Sequence, residues 1–385
     1  MAGTEPPSLP GASQYGLSKQ VQSQFVAAPE LRYLPPQPRQ YRPKIALVGA
    51  GGVTEYHLRA YQKLGLEVAV ICDLDLQRAE ARCAQFFPNA KACRDFQDVL
   101  LRDDIEVIDA AVHPEPRTRL MEAAINARKH VLSQKPFALD LDTAERLCDL
   151  AEDRGVKLAV NQNGRWAPHF AYARAALGAG ILGELGTIDF ELAFDHSWTV
   201  GTPFENIHHL LLFDFGIHWF DLTACFLAGR ELESVYASVN RTSYQKARPP
   251  FLASVIIDAE QAQARMAFNA AVTFAQADRT LLAGSLGTLE CSGPSLSSQH
   301  VTLTTAAGEA RPPLAGSWFE NGFQGTMGEL LCAIEDNQEP LNSARNNLQS
   351  LALCFAALAS ANNGEPVRPG TVRKMPIENP LNAHA

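Results

Sequence analysis

The 385-residue chain carries a net charge of −9 and eight cysteines. Its length is enough for two domains with full cores, while the acidic balance and the lack of a basic stripe exclude an electrostatic nucleic-acid binder. No apolar run reaches a membrane span, and cysteines without C-x-x-C spacing, mostly in apolar patterns, fit reduced core thiols of a cytoplasmic protein better than disulfides or zinc ligands.

Residues 1–43 form an arm rich in Pro, Ser and Gln, without a helical period. It opens with no basic stretch followed by an apolar one, so a secretory signal is not expected. Two readings stand for it. One is a solvated tail; the other is an extended arm, ordered from about residue 25, lying on the domain that follows or on a partner subunit. Leu31, Tyr33, Leu34, Pro35 and Pro36 supply the apolar contacts that the second reading needs.

The stretch Lys44-Ile-Ala-Leu-Val-Gly49-Ala-Gly51-Gly52-Val53-Thr54-Glu-Tyr-His57 reads as a buried parallel strand, a glycine-rich turn and a helix start. Gly49 makes the turn tight, Gly51 and Gly52 leave bare backbone for a pyrophosphate, and the helix start offers free N–H groups to it. A second apolar strand ends in Asp73, placed to hold a ribose 2′-hydroxyl. Asp73 favours NAD over NADP, with Arg78 as a complication that leaves NADP possible. Asp75 then caps a helix that Pro88 stops, and a short helix is expected over 94–101. The strand 106–112 ends in His113-Pro-Glu-Pro, and a helix from Arg117 leads to His130-Val-Leu-Ser-Gln134-Lys135-Pro136. A helix over 140–154 and a strand over 157–161 complete the series. This alternation predicts a parallel sheet over 44–163, with the loops at Gly49, Asp73, His113 and Lys135 on one ligand edge that residues 161–165 close.

From 164 the pattern changes to a second domain reaching 375, with a tail over 376–385. A helix to Leu177, a long alternating run from Thr187 and six later strand-like runs predict an open, mostly antiparallel sheet. Between them lies a nearly all-apolar helix over 210–227, preceded by a segment dense in polar and aromatic groups. Asp214, His218 and Asp221 stand at i, i+4 and i+7 and so share one face, beside which Gly216 would leave open space. Polar groups on a buried helix are satisfied or functional. A core hydrogen-bonded pair, a metal site with His208 and His209, and acid–base chemistry all use these residue types; no H-E-x-x-H pattern supports the metal. A histidine near its reference pKa of ~6.5, oriented by a carboxylate, suits proton removal from an alcohol. Helices are expected over 322–335 and 344–361.

With these pieces placed, the chain resembles the glucose–fructose oxidoreductase / inositol dehydrogenase / MocA family over about residues 43–375. Gly49-Ala-Gly51-Gly52-Val-Thr54-Glu-Tyr-His57 is similar to the family's G-x-G-G-I-A-x-x-H loop, and Arg128-Lys-His-Val-Leu-Ser-Gln134-Lys135-Pro136 to its G-K-H-V-x-x-E-K-P run. Asp214-Phe-Gly216-Ile-His218-Trp-Phe-Asp221 reproduces its D-x-G-x-H-x-x-D helix, and the closing helix after Asn342 is similar as well. The resemblance implies an α/β protein: a Rossmann domain plus an α/β domain with an open, mostly antiparallel sheet. It also implies a homo-oligomer, a dimer or tetramer, often formed through the outer face of that sheet, with the closing helix packing back on the Rossmann domain.

The activity implied is a dehydrogenase using tightly held NAD on a sugar, polyol or related small carbohydrate, with Lys135, Asp214 and His218 as the catalytic group. Gly49, Gly51, Gly52, Val53, Asp73, Arg78, His113, Gln134, Lys135 and Asn163 are expected at the cofactor. Trp166, His169, Asp195, His196, Trp198, Glu205 and His209 are expected around the substrate, beside the catalytic three. Three residues depart from the family pattern: Gln134 replaces a glutamate, Thr54 a smaller residue, and Arg117 a common histidine. A redox-neutral sugar-modifying enzyme that uses NAD transiently would carry the same residues. A sensor without turnover would not need them.

Overall fold

A computed structural model describes residues 24–376; the start of the arm and the C-terminal tail beyond 376 lie outside the described residues. The first domain holds strands β1 (Lys44–Val48), β2 (Glu67–Cys72), β3 (Lys91–Cys93), β4 (Ile105–Ala110), β5 (His130–Ser133) and β6 (Leu158–Val160). Between them run helices α1 (Thr54–Lys63), α2 (Leu76–Phe86), α3 (Phe96–Leu100), α4 (Pro114–Asn126) and α5 (Leu141–Arg154). The strands are parallel, in the order β3-β2-β1-β4-β5-β6. β1 is apolar on both sides because both faces of the sheet are covered: Ile45, Ala46 and Leu47 are fully buried. Asp75, Asp95 and Asp140 cap α2, α3 and α5 by accepting backbone N–H groups, and Gly155 ends α5 in the left-handed conformation. The order reverses between β1 and β4, which opens a crevice at their carboxyl ends.

A short turn, Asn163–Trp166, leads into α6 (Pro168–Gly178) and the second sheet. Its strands are β7 (Leu185–Ala193), β8 (Leu232–Asn240), β9 (Leu252–Ala259), β10 (Ala262–Asn269), β11 (Ala277–Gly284), β12 (Gly287–Ser295), β13 (Ser298–Thr305) and β14 (Gly308–Ala310). They lie in the order β14-β13-β12-β11-β7-β10-β9-β8, all antiparallel except the β7–β10 pair. Alternation sorts the faces: on β9, Ala253, Val255 and Ile257 are buried while Ile256 stays exposed. The apolar stretch expected as one helix is two. Leu211–Phe215 winds as a π-helix, and α7 (Ile217–Phe226) continues after Gly216.

α8 (Trp318–Glu335) and α9 (Ala344–Asn363) join the two halves. Phe323, Met327, Leu330 and Leu331 of α8 share one buried cluster with Leu47, Leu58 and Leu132 of the first domain. α9 lies against α5 and β6 on one side and α7 and β8 on the other. Three glycines of α8 permit close approach. A Cβ at Gly322, Gly325 or Gly328 would stand 2.7 Å from Asn163 O, 2.0 Å from the Trp166 ring or 2.1 Å from Pro36 O.

The arm from residue 24 runs first along the second half of the chain and reaches the Rossmann domain at its end, where the Tyr41 hydroxyl donates to Glu106 at 3.1 Å. Phe25 pairs with Glu309 beside β13, and the Tyr172 hydroxyl donates to Pro29 O at 3.1 Å. Tyr33 meets the Tyr172 ring edge-on at 6.3 Å, and its hydroxyl accepts Ala315 N–H. The backbone N–H groups of Arg39, Gln40 and Tyr41 then all donate to Glu335 at the end of α8. Tyr172, Glu309 and Glu335 belong to α6, β14 and α8, and Ala315 to the loop between β14 and α8. Deleting residues 1–40 should therefore lower the melting temperature by several degrees in a calorimetric scan; an unchanged melting temperature would show that the arm adds no stability.

Candidate active site

Gly49 adopts φ +102°, and a Cβ there would stand 2.6 Å from Ala111 O, so the turn accepts only glycine. Gly51 and Gly52 have open space where a Cβ would point. Val53, 38% exposed, precedes α1, and the buried Thr54 hydroxyl donates to Gly51 O at 2.6 Å, so this departure from the family pattern braces the loop. Asp73 accepts Ala50 N–H at 2.7 Å with one oxygen and Asp75 N–H at 2.8 Å with the other. An open cleft is lined by Ala50, Gly51, Gly52, Arg78, Ala81, Arg82 and Gln85. Arg78 pairs with Asp75 at its rim. Arg82, unmarked by sequence reasoning, donates to Gly51 O and rests over the Phe86 ring.

Bare glycine backbone, a helix start and a pinned carboxylate at the strand end fit a dinucleotide whose ribose carries a free 2′-hydroxyl. Because two backbone N–H groups fix Asp73, its charge cannot swing aside for a 2′-phosphate. Fluorescence titration should give at least several-fold tighter binding of NADH than of NADPH, with Asp73→Ser narrowing the difference; tighter NADPH binding by the unaltered chain would contradict this.

On the same edge, β5 runs into Gln134, Lys135 and a cis Lys135–Pro136 bond. Lys135 Nζ donates to Asp214 Oδ1 at 3.0 Å and to Asp214 O at 2.7 Å, crossing from one domain to the other. His218 follows on α7, facing the Trp318 ring edge-on at 5.6 Å. Burial, and then the Lys135 charge, hold its imidazole pKa well below the usual value, so the ring is neutral at neutral pH. Its Nδ1 makes no hydrogen bond among the described residues. His196 lies within the fields of Asp214 and Lys135 and is pushed down to about 4, mainly by burial. Trp198, 57% exposed, meets it edge-on at 5.1 Å. His113 is exposed at the end of β4, where α4 begins.

Other expected residues serve the frame. Trp166 is 2% exposed, lies against Gly325 and carries Arg174 over its ring, so it is a packing residue rather than a sugar platform. His169 is buried beside Phe170, with the Trp318 ring on one side, and burial pushes it down to about 3. His209 Nε2 donates to Asn362 Oδ1 at the end of α9, 2.8 Å away. Asn163 is buried against Gly322. Asp195 and Glu205 accept Ser197 N–H and Gly201 N–H in local turns.

Asp221 does not join the Lys135–Asp214 pair: it forms a buried ion pair with Arg165 at 2.6 Å. Gly216 leaves no open space either: a Cβ there would press on the carbonyls of Leu211 and Leu212 at the π-to-α junction. Trp318, which walls His218, carried no local signal, since it approaches only through the long-range packing of α8. Among the described residues no group of three or more His, Cys, Asp or Glu could hold a metal ion, and no helix is long and apolar enough to cross a membrane.

A Rossmann sheet with an open glycine loop, joined at its ligand edge to a lysine–aspartate pair and a neutral histidine, defines a nicotinamide-dependent oxidoreductase. The comparisons agree on that class. Residues 43–162 match the model of the oxidoreductase family with an NAD-binding Rossmann fold, and residues 170–290 match the GFO/IDH/MocA C-terminal domain. The chain belongs to the GFO/IDH/MocA oxidoreductase family and binds NAD. D-apiose dehydrogenase of Paraburkholderia graminis is 29% identical, with 84% of this chain and 89% of that protein covered. Inositol 2-dehydrogenase of Rhizobium meliloti is 25% identical, with 82% and 96% covered. The fold is shared with an Agrobacterium radiobacter oxidoreductase solved with NAD+, L-tartaric acid and magnesium: TM-score 0.75, 22% identity, 85% of this chain and 98% of that one.

Proposed function

We propose that this enzyme transfers hydride between NAD and a secondary alcohol or ketone of a sugar, polyol or related small carbohydrate. The observation that carries the reading is the Lys135–Asp214 pair, which brings a charged donor across the domain seam to the neutral His218. Lys135 uses two of its three N–H groups on Asp214, which leaves the third to hold the substrate oxygen and stabilise developing alkoxide. His218 takes the hydroxyl proton, and Asp214 orients the lysine. When bound, NAD+ supplies the hydride acceptor. His196 and Trp198 are assigned to the substrate, the first through its ring nitrogen and the second as an apolar face. The names of the apiose and inositol dehydrogenases support the carbohydrate class.

The reading includes a cytoplasmic homo-oligomer. Its supports are eight free cysteines and the outer face of the second sheet, where Tyr236 and Ile256 stand side by side, 40% and 39% exposed. Light scattering would give the assembled mass.

The test is a screen of sugars and polyols with NAD+, following cofactor absorbance and product together. Reduced cofactor should accumulate in proportion to oxidised product. Product with flat absorbance would mean internal recycling of NAD, and binding without product would overturn the enzymatic reading.

A further inference from the structure

His57 takes no part in the chemistry above, yet it is the centre of the most connected polar group in the first domain. It stands one turn into α1 from the glycine loop, and its ring is fully buried, as is Asp109. Its Nδ1 lies 2.7 Å from Asp109 Oδ2 at the end of β4. Its Nε2 lies 3.1 Å from Gln134 Nε2 and 3.2 Å from Asn161 Nδ2. Tyr61 Oη donates to the same Asp109 oxygen, and the Phe323 ring of α8 covers the imidazole at 4.5 Å. Asp109 and Tyr61 are the titratable groups that face it. The Tyr61 hydroxyl stays protonated, since burial and then Asp109 raise its pKa well above the usual value.

This geometry fixes every proton. The Gln134 Oε1 accepts Lys135 N–H at 2.7 Å, so the amide nitrogen is the end that meets His57, and an amide nitrogen only donates. His57 Nε2 is therefore an acceptor, and the single ring proton sits on Nδ1 and goes to Asp109. A second clamp holds the other end of the same loop. Arg117, fully buried and with no ion pair among the described residues, donates to Val112 O and Pro136 O.

We propose that His57, held as the neutral Nδ1–H tautomer by Asp109, is a positioning residue that sets Lys135 through the Gln134 amide. On this account Gln134 is more than a departure from the family's glutamate. It is the part that reads the state of His57 and transmits it to the Lys135 backbone. The inference rests on the assignment of Lys135 to the substrate oxygen, but the proton arrangement is measurable without any substrate.

A carboxylate at position 134 could still accept Lys135 N–H, but it would turn an oxygen toward the Nε2 lone pair. That repulsion is relieved only when His57 takes a second proton, so Gln134→Glu converts a fixed support into a titrating one.

The experiment uses the full chain with 15N-labelled histidine and the variants Gln134→Glu and His57→Asn. In the unaltered enzyme the His57 signals, identified by their loss in His57→Asn, should report protonated Nδ1 and bare Nε2. In Gln134→Glu the same ring should gain a proton on Nε2 as pH drops, with kcat about 10- to 100-fold lower on the basic side and recovering with that proton. NAD affinity should change less than threefold, on the order of a minor perturbation. A His57 protonated on Nε2 rather than Nδ1 in the unaltered enzyme overturns the tautomer. A Gln134→Glu enzyme with unchanged kcat and pH profile overturns the positioning role. If the ring behaves as stated while Lys135→Ala retains turnover, the assignment of Lys135 fails instead.

Discussion

Alanine at Lys135 or at His218 should lower turnover by about 10²–10⁴-fold, the range for loss of a positioned proton-transfer group. The expectation follows from where the two side chains meet. Lys135 comes from the ligand edge of one sheet and His218 from the helix that covers the other. Asp214 holds the lysine through both its carboxylate and its carbonyl. Each substitution removes part of one device acting on one oxygen, so the double variant should lose little more than the worse single variant. NAD affinity should change far less, because Gly49, Gly51, Gly52 and Asp73 lie at other loops. The pH profile adds a sign. Burial and Lys135 depress His218, so the acid limb of kcat/KM should fall below pH 6.5, and removal of the Lys135 charge should move that limb upward. Near-normal turnover in His218→Ala would refute the assignment.

The largest effect on stability is expected at Asp221. Both its oxygens lie 2.6 Å from Arg165 nitrogens, and the same carboxylate accepts Asn347 Nδ2 at 3.2 Å and Ser350 Oγ at 2.8 Å. Arg165 also donates to Leu341 O, so the group ties the turn after β6 to α7 and the start of α9. Asp221→Ala leaves the guanidinium, whose side chain is 4% exposed, without a counter-charge. Breaking such a buried pair costs about 3–5 kcal/mol, whereas replacing both partners by apolar residues of similar size is often neutral. Denaturant unfolding should therefore show a marked drop in midpoint for Asp221→Ala and partial recovery for Arg165→Met combined with Asp221→Leu. An unchanged midpoint in the single variant would contradict this structural role.

The first domain was legible because its signals are local. An apolar run, a glycine turn and a strand ending in Asp73 each occupy a few consecutive residues, and their order alone implies the parallel sheet. β3 and β14 were missed because their three residues, Lys-Ala-Cys and Gly-Glu-Ala, lack the apolar run that marks the equally short β6. The second domain gave its strands through alternation but not its helix geometry. A 3.6-residue period put Asp214, His218 and Asp221 on one face, but the π-turn over 211–215 interrupts the regular helix at Asp214, and Asp221 is taken by Arg165, a partner from the turn after β6 that no local period announces.

Residue type served less well around the substrate. His169, His209 and Trp166 are as polar or aromatic as His196 and Trp198, and only tertiary packing separates core from cleft. Trp318 and Arg82 depend on contacts that no nearby sequence announces. Gln134 stood out in the sequence only as a departure from the family's glutamate; its role shows once its two amide ends are traced to Lys135 and His57.

The central claim is hydride transfer beside Lys135 and His218, and the most direct test is the mass of the cofactor after one turnover. Substrate deuterated at the reacting carbon is mixed with excess enzyme and NAD+, and the cofactor is examined by mass spectrometry. The account expects one deuterium in each reduced cofactor, formed at a rate that Lys135→Ala and His218→Ala both reduce. Oxidised product accompanied by unlabelled cofactor would contradict it.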